Sequence, residues 1–221
     1  MTRWTVIVPV KGGTRAKSRL PETLGGASRG MLAAALTADT LAAVAGTASV
    51  ARILVVSSVA DLDPAWLGDV GPRALVVRQA SGAGLNAAVR HAAGMVSGRV
   101  AVVLGDLPSL RPGDLAAVLG VAERHPRGMV ADAEGHGTTM LTTLGDPLAV
   151  SFGPRSAARH RRAGHVEIPA PLRARADVDT VEDLARARTL GVGPRTAAAL
   201  GLPVPHPAAG SAIAAAVSRA G

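Results

Sequence analysis

The chain predicts an α/β protein of three layers, α/β/α and Rossmann-like: a mostly parallel, mixed sheet with helices on both faces. Three observations carry this. Strand-like and helix-like segments alternate through the first half, giving four βα units. The strand-like runs are short and continuously apolar, as expected of strands buried on both faces. Two further runs flank Glu134-Gly135-His136-Gly137 and read as an antiparallel insertion, which makes the sheet mixed.

Each element has its own reason. Thr5–Val10 is an apolar run and the first strand. Residues 30–44 are rich in Ala, Leu and Met and read as a helix. Residues 52–57 (Arg-Ile-Leu-Val-Val-Ser) and 74–78 are the next strands. Residues 85–95 read as a helix opening behind Gly82-Ala83-Gly84. Residues 100–104 are the most apolar run and end at Gly105-Asp106-Leu107-Pro108. Residues 112–124 form a helix with Pro112 in its first turn. Residues 129–133 and 138–143 are the paired strands. Residues 156–162 are a short helix, 165–168 a short strand and 180–190 the last clear helix. One domain over residues 1–200 is expected, with a mobile tail at 201–221 that begins with Pro203, Pro205 and Pro207.

Composition narrows the function. Apolar residues make up 48% of 221, enough for a large core, yet Trp4, Trp66 and Phe152 are the only aromatics. Base-stacking platforms need aromatic side chains. The net charge of +8 is carried by scattered arginines, which suits small anionic substrates better than nucleic acid. There is no cysteine, so disulfides, thiolate zinc sites and a cysteine nucleophile are excluded. Nothing resembles a signal segment or a bilayer span, so a cytoplasmic protein without membrane association is expected. The oligomeric state stays open, a homodimer among the options.

The only two lysines, Lys11 and Lys17, share one glycine-bearing loop after the first strand, with Arg15, Ser18 and Arg19. Lysine is a compact point charge, whereas arginine is a planar fork. Backbone N–H groups of such a loop can cradle an anion, so it reads as a phosphate loop, against the alternative of a basic surface turn. In open α/β sheets ligands bind beyond the carboxyl ends of the strands. There Asp106 ends a hydrophobic strand and reads as a metal ligand or, alternatively, a turn aspartate. A second acidic cluster precedes the last helix. Thr180 and Asp183 form a capping box, so that helix starts at Val181. Asp177 and Asp179 stand before the cap and are expected to face opposite ways, one into a site. Two separated carboxylates suit Mg2+, which takes few protein ligands and keeps its waters. The segment from Phe152 to His160 offers a Gly153-Pro154 turn, Ser156 as N-cap, and Arg155 and Arg159. It reads as a second anion site, against a plain capped surface helix. His136 reads as a loop histidine. His125, His160 and His165 show no ligand spacing.

Together these loops resemble a family. Pro9-Val10-Lys11 with Ala16-Lys17-Ser18-Arg19-Leu20, Gly84-Leu85-Asn86, Gly105-Asp106-Leu107-Pro108 and Gly135-His136-Gly137-Thr138-Thr139 come first. Phe152-Gly153 with Ser156-Ala157-Ala158-Arg159-His160, Asp177-Val178-Asp179-Thr180 and Leu190-Gly191-Val192-Gly193-Pro194 follow in order. The set resembles the guanylyltransferases of deazaflavin coenzyme (coenzyme F-420) biosynthesis. Bacterial members are similar to phosphoenolpyruvate guanylyltransferase, and archaeal relatives use 2-phospholactate. The resemblance covers about residues 4–196. It implies the nucleotide-diphospho-sugar transferase-like fold, and Mg2+ on Asp106 and the Asp177/Asp179 pair. It implies phosphoenolpyruvate contacts at Thr138, Gly153 and Ser156. Lys11, Lys17 and Arg19 would hold the GTP phosphates, and Gly84 and Asn86 would lie on the nucleotide, Asn86 near the guanine or ribose. Val181 stands where the family usually has proline, and His136 where it often has a small residue.

The implied reaction is attack by a substrate phosphate oxygen on the α-phosphate of GTP, with release of pyrophosphate. It needs no side-chain nucleophile and no general base. Rival readings are 2-phospholactate or 3-phosphoglycerate as acceptor, a cytidylyl- or sugar-nucleotidyltransferase of the same fold, and a nucleotide-binding regulator without turnover.

Overall fold

Alternate residues of the central strands feed two separate cores, which is why those strands read as unbroken apolar runs. The computed structural model describes residues 3–10, 17, 19–24, 27–57, 70–78 and 84–204. Lys11 and the tail from residue 205 lie outside these residues. The first half contains β1 (Trp4–Pro9), a hairpin of β2 (Thr23–Leu24) and β3 (Ala27–Ser28), α1 (Arg29–Gly46), β4 (Val50–Ser57), β5 (Ala74–Arg78), α2 (Gly84–Ala93) and β6 (Val100–Val103). Then come α3 (Pro112–Ala122), β7 (Arg127–Ala131), β8 (Thr138–Thr143), α4 (Ser156–Arg162), β9 (Val166–Glu167), α5 (Val181–Leu190) and α6 (Pro194–Ala199).

The main sheet runs β5-β4-β1-β6-β8-β7-β9. β5, β4, β1 and β6 are mutually parallel. β8 is antiparallel to both β6 and β7, and β9 returns parallel to β7. The mixed sheet expected from the sequence is therefore present. Val6 and Val8 of β1, with Val55 and Val103, pack under Leu41 and Val44 of α1 and Leu115 and Leu119 of α3. Ile7, Leu54, Val56 and Val102 point the other way, onto Val89 and Ala92 of α2 and Ala157 of α4. Three layers follow directly.

Two features were absent from the expectation. The small β2–β3 hairpin leads into α1, whose N-cap Ser28 accepts from the Met31 N–H. The other is α6, hidden in the Leu190–Pro194 motif. It is held by Asp39, a carboxylate buried on α1 that accepts from the N–H groups of Arg195 (3.1 Å) and Thr196 (2.8 Å). Burial raises the Asp39 pKa, partly offset by these N–H donors. Gly193 caps α6 and donates to the Pro108 carbonyl. A β-carbon there would lie 2.3 Å from the Asp39 carboxyl carbon, so the residue is glycine because of close approach. A third cluster joins this corner to the sheet edge through Leu20, Leu32, Leu36, Val178, Leu184 and Val192.

Gly193→Ala should break the Asp39 clasp and cost about 1–3 kcal/mol of stability, as overpacking typically does. Urea denaturation checks this, and an unchanged midpoint would show that the clasp yields freely.

Candidate active site

The carboxyl ends of β1 and β6 meet the first residue of β8 at one sheet edge, because β8 runs antiparallel to β6. Leu104 N–H donates to the Thr139 carbonyl at 3.0 Å, which fixes that register just before Asp106. The acidic turn before α5 is stitched to the same place. Val178 is fully buried in the third cluster, and its N–H donates to the Asp106 carbonyl at 3.1 Å.

Lys17 closes the group. Its ammonium donates to Asp106 Oδ2 and, at 2.8 Å, to Asp179 Oδ1. The Lys17 side chain is largely buried. Burial opposes its charge, but the Asp106 and Asp179 carboxylates outweigh that, and the ammonium is held above its ordinary pKa. Lys17 also adopts φ 56°, left-handed backbone that a side chain disfavours. Among the described residues only Arg155 shares this conformation without being glycine, and it too belongs to a loop of this site. Strain of this kind gathers where function requires it.

Asp177 and Asp179 do not face opposite ways, contrary to the expectation. In an extended segment residues two apart share a face, and Val178 between them is the one that turns inward. Asp177 is pushed up to about 8 by burial first, then by the charges of Asp106 and Asp179. Two carboxylates, Asp106 and Asp179, thus hold one ammonium, with Asp177 beside them as a third acidic group whose proton is retained to higher pH.

That donor set fits a hard divalent cation. Asp106 Oδ1 is buried and has no hydrogen-bond partner. Among the described residues no group of three or more acidic or histidine side chains is arranged to hold a metal ion by itself.

The second half of the site is a buried hydroxyl cluster. Ser156 was expected to cap α4. Instead Arg155 is the N-cap, and Ser156 is the first helical residue, with its Oγ donating to Thr138 Oγ1 at 3.1 Å. The Ser156 and Ala157 N–H groups are taken by the carbonyls of Gly153 and His136. Two N–H groups of this helix N-terminus are therefore already engaged, and the side-chain hydroxyls stand beside them. Gly153 has φ 120°, open only to glycine. Thr138 and Ser156 are both buried.

His160, which showed no ligand spacing, belongs to this cluster. Its Nδ1 lies 2.9 Å from Thr138 Oγ1, and its Nε2 accepts from the Ser151 N–H at 2.9 Å. The available signal was its spacing of four from Ser156, which puts both on one helix face. Burial first, then the charges of His165 and Arg159, lower its pKa to about 4.

Asn86 has a structural task that the sequence did not show. Its Nδ2 donates to the Phe152 carbonyl (3.0 Å) and its Oδ1 accepts from the Phe152 N–H (2.7 Å). Phe152 has left the sheet, and its backbone groups need such partners. The amide therefore ties the first turn of α2 to the Gly153 loop. Gly84, at φ 76°, opens α2, and Arg19 is exposed. His136 sits in the hairpin loop, as expected, its N–H bonded to Asp132 Oδ1. Arg175 reaches the Ala131 and Asp132 carbonyls, and Arg186 pairs with Glu134 at 2.7 Å. The β7–β8 loop is thereby braced against the acidic turn.

A nucleotide-diphospho-sugar transferase-type sheet, with carboxylates and a lysine at its carboxyl edge, defines the class. A structure described as a nucleotide-diphospho-sugar transferase from Desulfovibrio desulfuricans G20 matches at TM-score 0.58 and 21% identity, covering 83% of this chain and 85% of that one. The 4-diphosphocytidyl-2C-methyl-D-erythritol synthase of Anaerococcus prevotii DSM 20548 matches at TM-score 0.56 and 11% identity, covering 85% and 95%. At these identities the likeness concerns the fold. The model of the guanylyl transferase CofC-like family matches residues 4–200, and the chain belongs to that family. A protein named phosphoenolpyruvate guanylyltransferase from Streptomyces scabiei (strain 87.22) is 46% identical over 207 residues, covering 89% of this chain and 95% of that protein. The resemblance read from the loops is borne out.

The His160 shift has a sign that can be measured. Its folded pKa is lowered to about 4 from 6.5, so between those values the unfolded chain binds a proton that the folded chain refuses. The stability linked to neutral His160 is complete above pH 6.5 and is lost as pH falls toward 4. Relative to His160→Gln, the wild type should lose up to about 1.4 kcal/mol more per pH unit in that window. Denaturation midpoints at several pH values test this, and parallel curves for the two proteins would contradict it.

Proposed function

We propose that this chain transfers the guanylyl group of GTP to phosphoenolpyruvate, releasing pyrophosphate, as a cytoplasmic step of coenzyme F-420 biosynthesis. One observation carries the reading beyond the family. The Lys17–Asp106–Asp177–Asp179 cluster and the Thr138–Ser156–His160 hydroxyl cluster lie on neighbouring loops of one sheet edge. The first has the charges to handle a triphosphate with a metal. The second has donors suited to a small carboxylate-bearing phosphate ester.

In the transfer, a phosphate oxygen of phosphoenolpyruvate forms a bond to the α-phosphorus of GTP. The bond from that phosphorus to the β-phosphate oxygen breaks, and pyrophosphate leaves with the electron pair. A phosphate dianion is already nucleophilic, so no base is required, and positioning with charge neutralisation supplies the acceleration. Asp106 with Asp177 and Asp179 would hold Mg2+, which when bound neutralises charge on the triphosphate and leaving group. Lys17 and Arg19 neutralise phosphate charge from the first loop, where Lys11 also stands in sequence. Gly84 at the start of α2 lies on the nucleotide side. Thr138, Gly153 and Ser156 orient the acceptor.

Pyrophosphate release tests the reading. It should require GTP rather than CTP, and phosphoenolpyruvate rather than 2-phospholactate or 3-phosphoglycerate. A CTP preference would favour a cytidylyltransferase, and binding without release a regulator. Asp106→Asn should keep the fold, because the backbone carbonyl that holds Val178 is unchanged, and should lower turnover at least about 100-fold, close to 3 kcal/mol of transition-state stabilisation. Near-normal transfer by that variant would refute the metal assignment.

Lys17→Met separates charge from chemistry. It leaves Asp106 and Asp179 without their ammonium, and stability should fall by about 1–3 kcal/mol, less than for a fully buried pair because Asp179 is half exposed. With GTP absent, Mg2+ should raise the melting temperature of the variant more than that of the wild type, because the carboxylates then have no internal cation. An equal Mg2+ effect on both proteins would mean that Lys17 and metal do not share these ligands.

A further inference from the structure

His160 takes part in neither the metal cluster nor, by the family resemblance, the acceptor contacts, yet it is fully buried with both ring nitrogens engaged. The network fixes its tautomer. An amide N–H only donates, so Nε2, which faces the Ser151 N–H at 2.9 Å, accepts and carries no proton. Burial and neighbouring positive charge keep the ring neutral. Its one proton therefore sits on Nδ1 and is donated to Thr138 Oγ1 at 2.9 Å. Ser156 Oγ donates to the same oxygen at 3.1 Å. Both lone pairs of the Thr138 hydroxyl are then used, and its own hydrogen must point out of the cluster.

The ring is held in this pose from its sides. Phe152 meets it edge-to-face at 5.4 Å and 72°, and His165 at 5.4 Å and 64°. Phe152 is itself clasped by Asn86. The orientation is thus fixed before any ligand arrives.

We propose that His160 is a positioning residue for the acceptor: by donating from Nδ1 to Thr138 Oγ1 it makes the Thr138 hydroxyl an obligate donor to an anionic oxygen of the acceptor. Carboxylate and phosphate oxygens only accept, so a hydroxyl locked as a donor favours them over neutral hydroxyl-bearing analogues. The inference rests on the reading of Thr138 as an acceptor-site residue.

Two amides test it, because each reproduces one ring nitrogen. In His160→Asn the side-chain NH2 can take the place of Nδ1 and donate to Thr138. In His160→Gln the longer amide reaches the Ser151 N–H and leaves Thr138 without its donor. His160→Gln should raise KM for phosphoenolpyruvate about tenfold or more, with kcat and KM for GTP changed less than about twofold. His160→Asn should bring that KM back to within about threefold of wild type, although it loses the Ser151 bond. If Asn and Gln raise it equally, or Gln leaves it unchanged, the ring serves packing only and the proposal fails. Thr138→Val tests the underlying reading separately. A normal KM for phosphoenolpyruvate in that variant removes Thr138 from the acceptor site and overturns both. The wild-type protein gives a readout that no folding defect can confuse: nitrogen-15 shifts of the His160 ring should report the Nδ1–H tautomer, and the Nε2–H tautomer would overturn the proposal.

Discussion

One buried ammonium joins two carboxylates at the carboxyl edge of the sheet, with the acidic side chain of Asp177 beside them, and the fold around that edge is arranged to hold this group together. Lys17 reaches Asp106 and Asp179 from a backbone conformation that only glycine adopts freely. Leu20, three residues on, is buried in the same small cluster as Val178, which lies between the two acidic residues of the turn. The apolar cluster of Leu20 and Val178 and the ion pairs of Lys17 thus tie the same two loops together. On the proposed reading, a metal ion held by these acidic side chains would bring the positive charge that nucleotidyl transfer needs beyond Lys17.

The two halves of the site are joined by bonds outside both. Asn86 connects α2 to Phe152, the residue before Gly153. Thr139 Oγ1 donates to the Ala174 carbonyl, and Arg175 bonds to the Ala131 carbonyl at the end of β7, so the β7–β8 pair and the acidic turn share a brace. Asp132 folds back on the N–H groups of His136 and Gly137, and a β-carbon on Gly137 would lie 2.3 Å from that carboxylate. The glycines around His136 therefore serve loop closure. Loops on a parallel sheet are free to vary in sequence, but here each is tied to its neighbour by backbone carbonyls, which any residue can supply.

Much of this was legible in the chain. The strands were visible because each is apolar on both faces, and the antiparallel pair because a glycine-bearing turn divides two runs. Asp106 was visible from its place at the end of the most apolar run. Thr180 and Asp183 announced the start of α5, and their capping bonds are present. The errors share a cause. Ser156 looked like a cap because local pattern treats a hydroxyl before a helix as serving that helix. Its partner is Thr138, eighteen residues earlier. The bond of Asn86 to Phe152, 66 residues away, was invisible for the same reason. Helix α6 was missed because its N–H groups are satisfied by Asp39 of α1, a carboxylate that no local rule associates with Pro194.

The sequence by itself determined the layered α/β architecture, the edge of the sheet where chemistry occurs and the residue types gathered there. Those follow from hydrophobic period, turn composition and order along the chain, all of which are local. Only the tertiary structure decided which atoms meet. Lys17 joins Asp106 across 89 positions and Asp179 across 162, and Thr138 meets His160 across 22. Such pairings depend on strand order, on β8 running antiparallel to β6, and on the close packing that brings Val178 beneath Asp106. The protonation of His160 and Asp177 is decided at the same level, because burial and neighbouring charge are properties of the packed molecule.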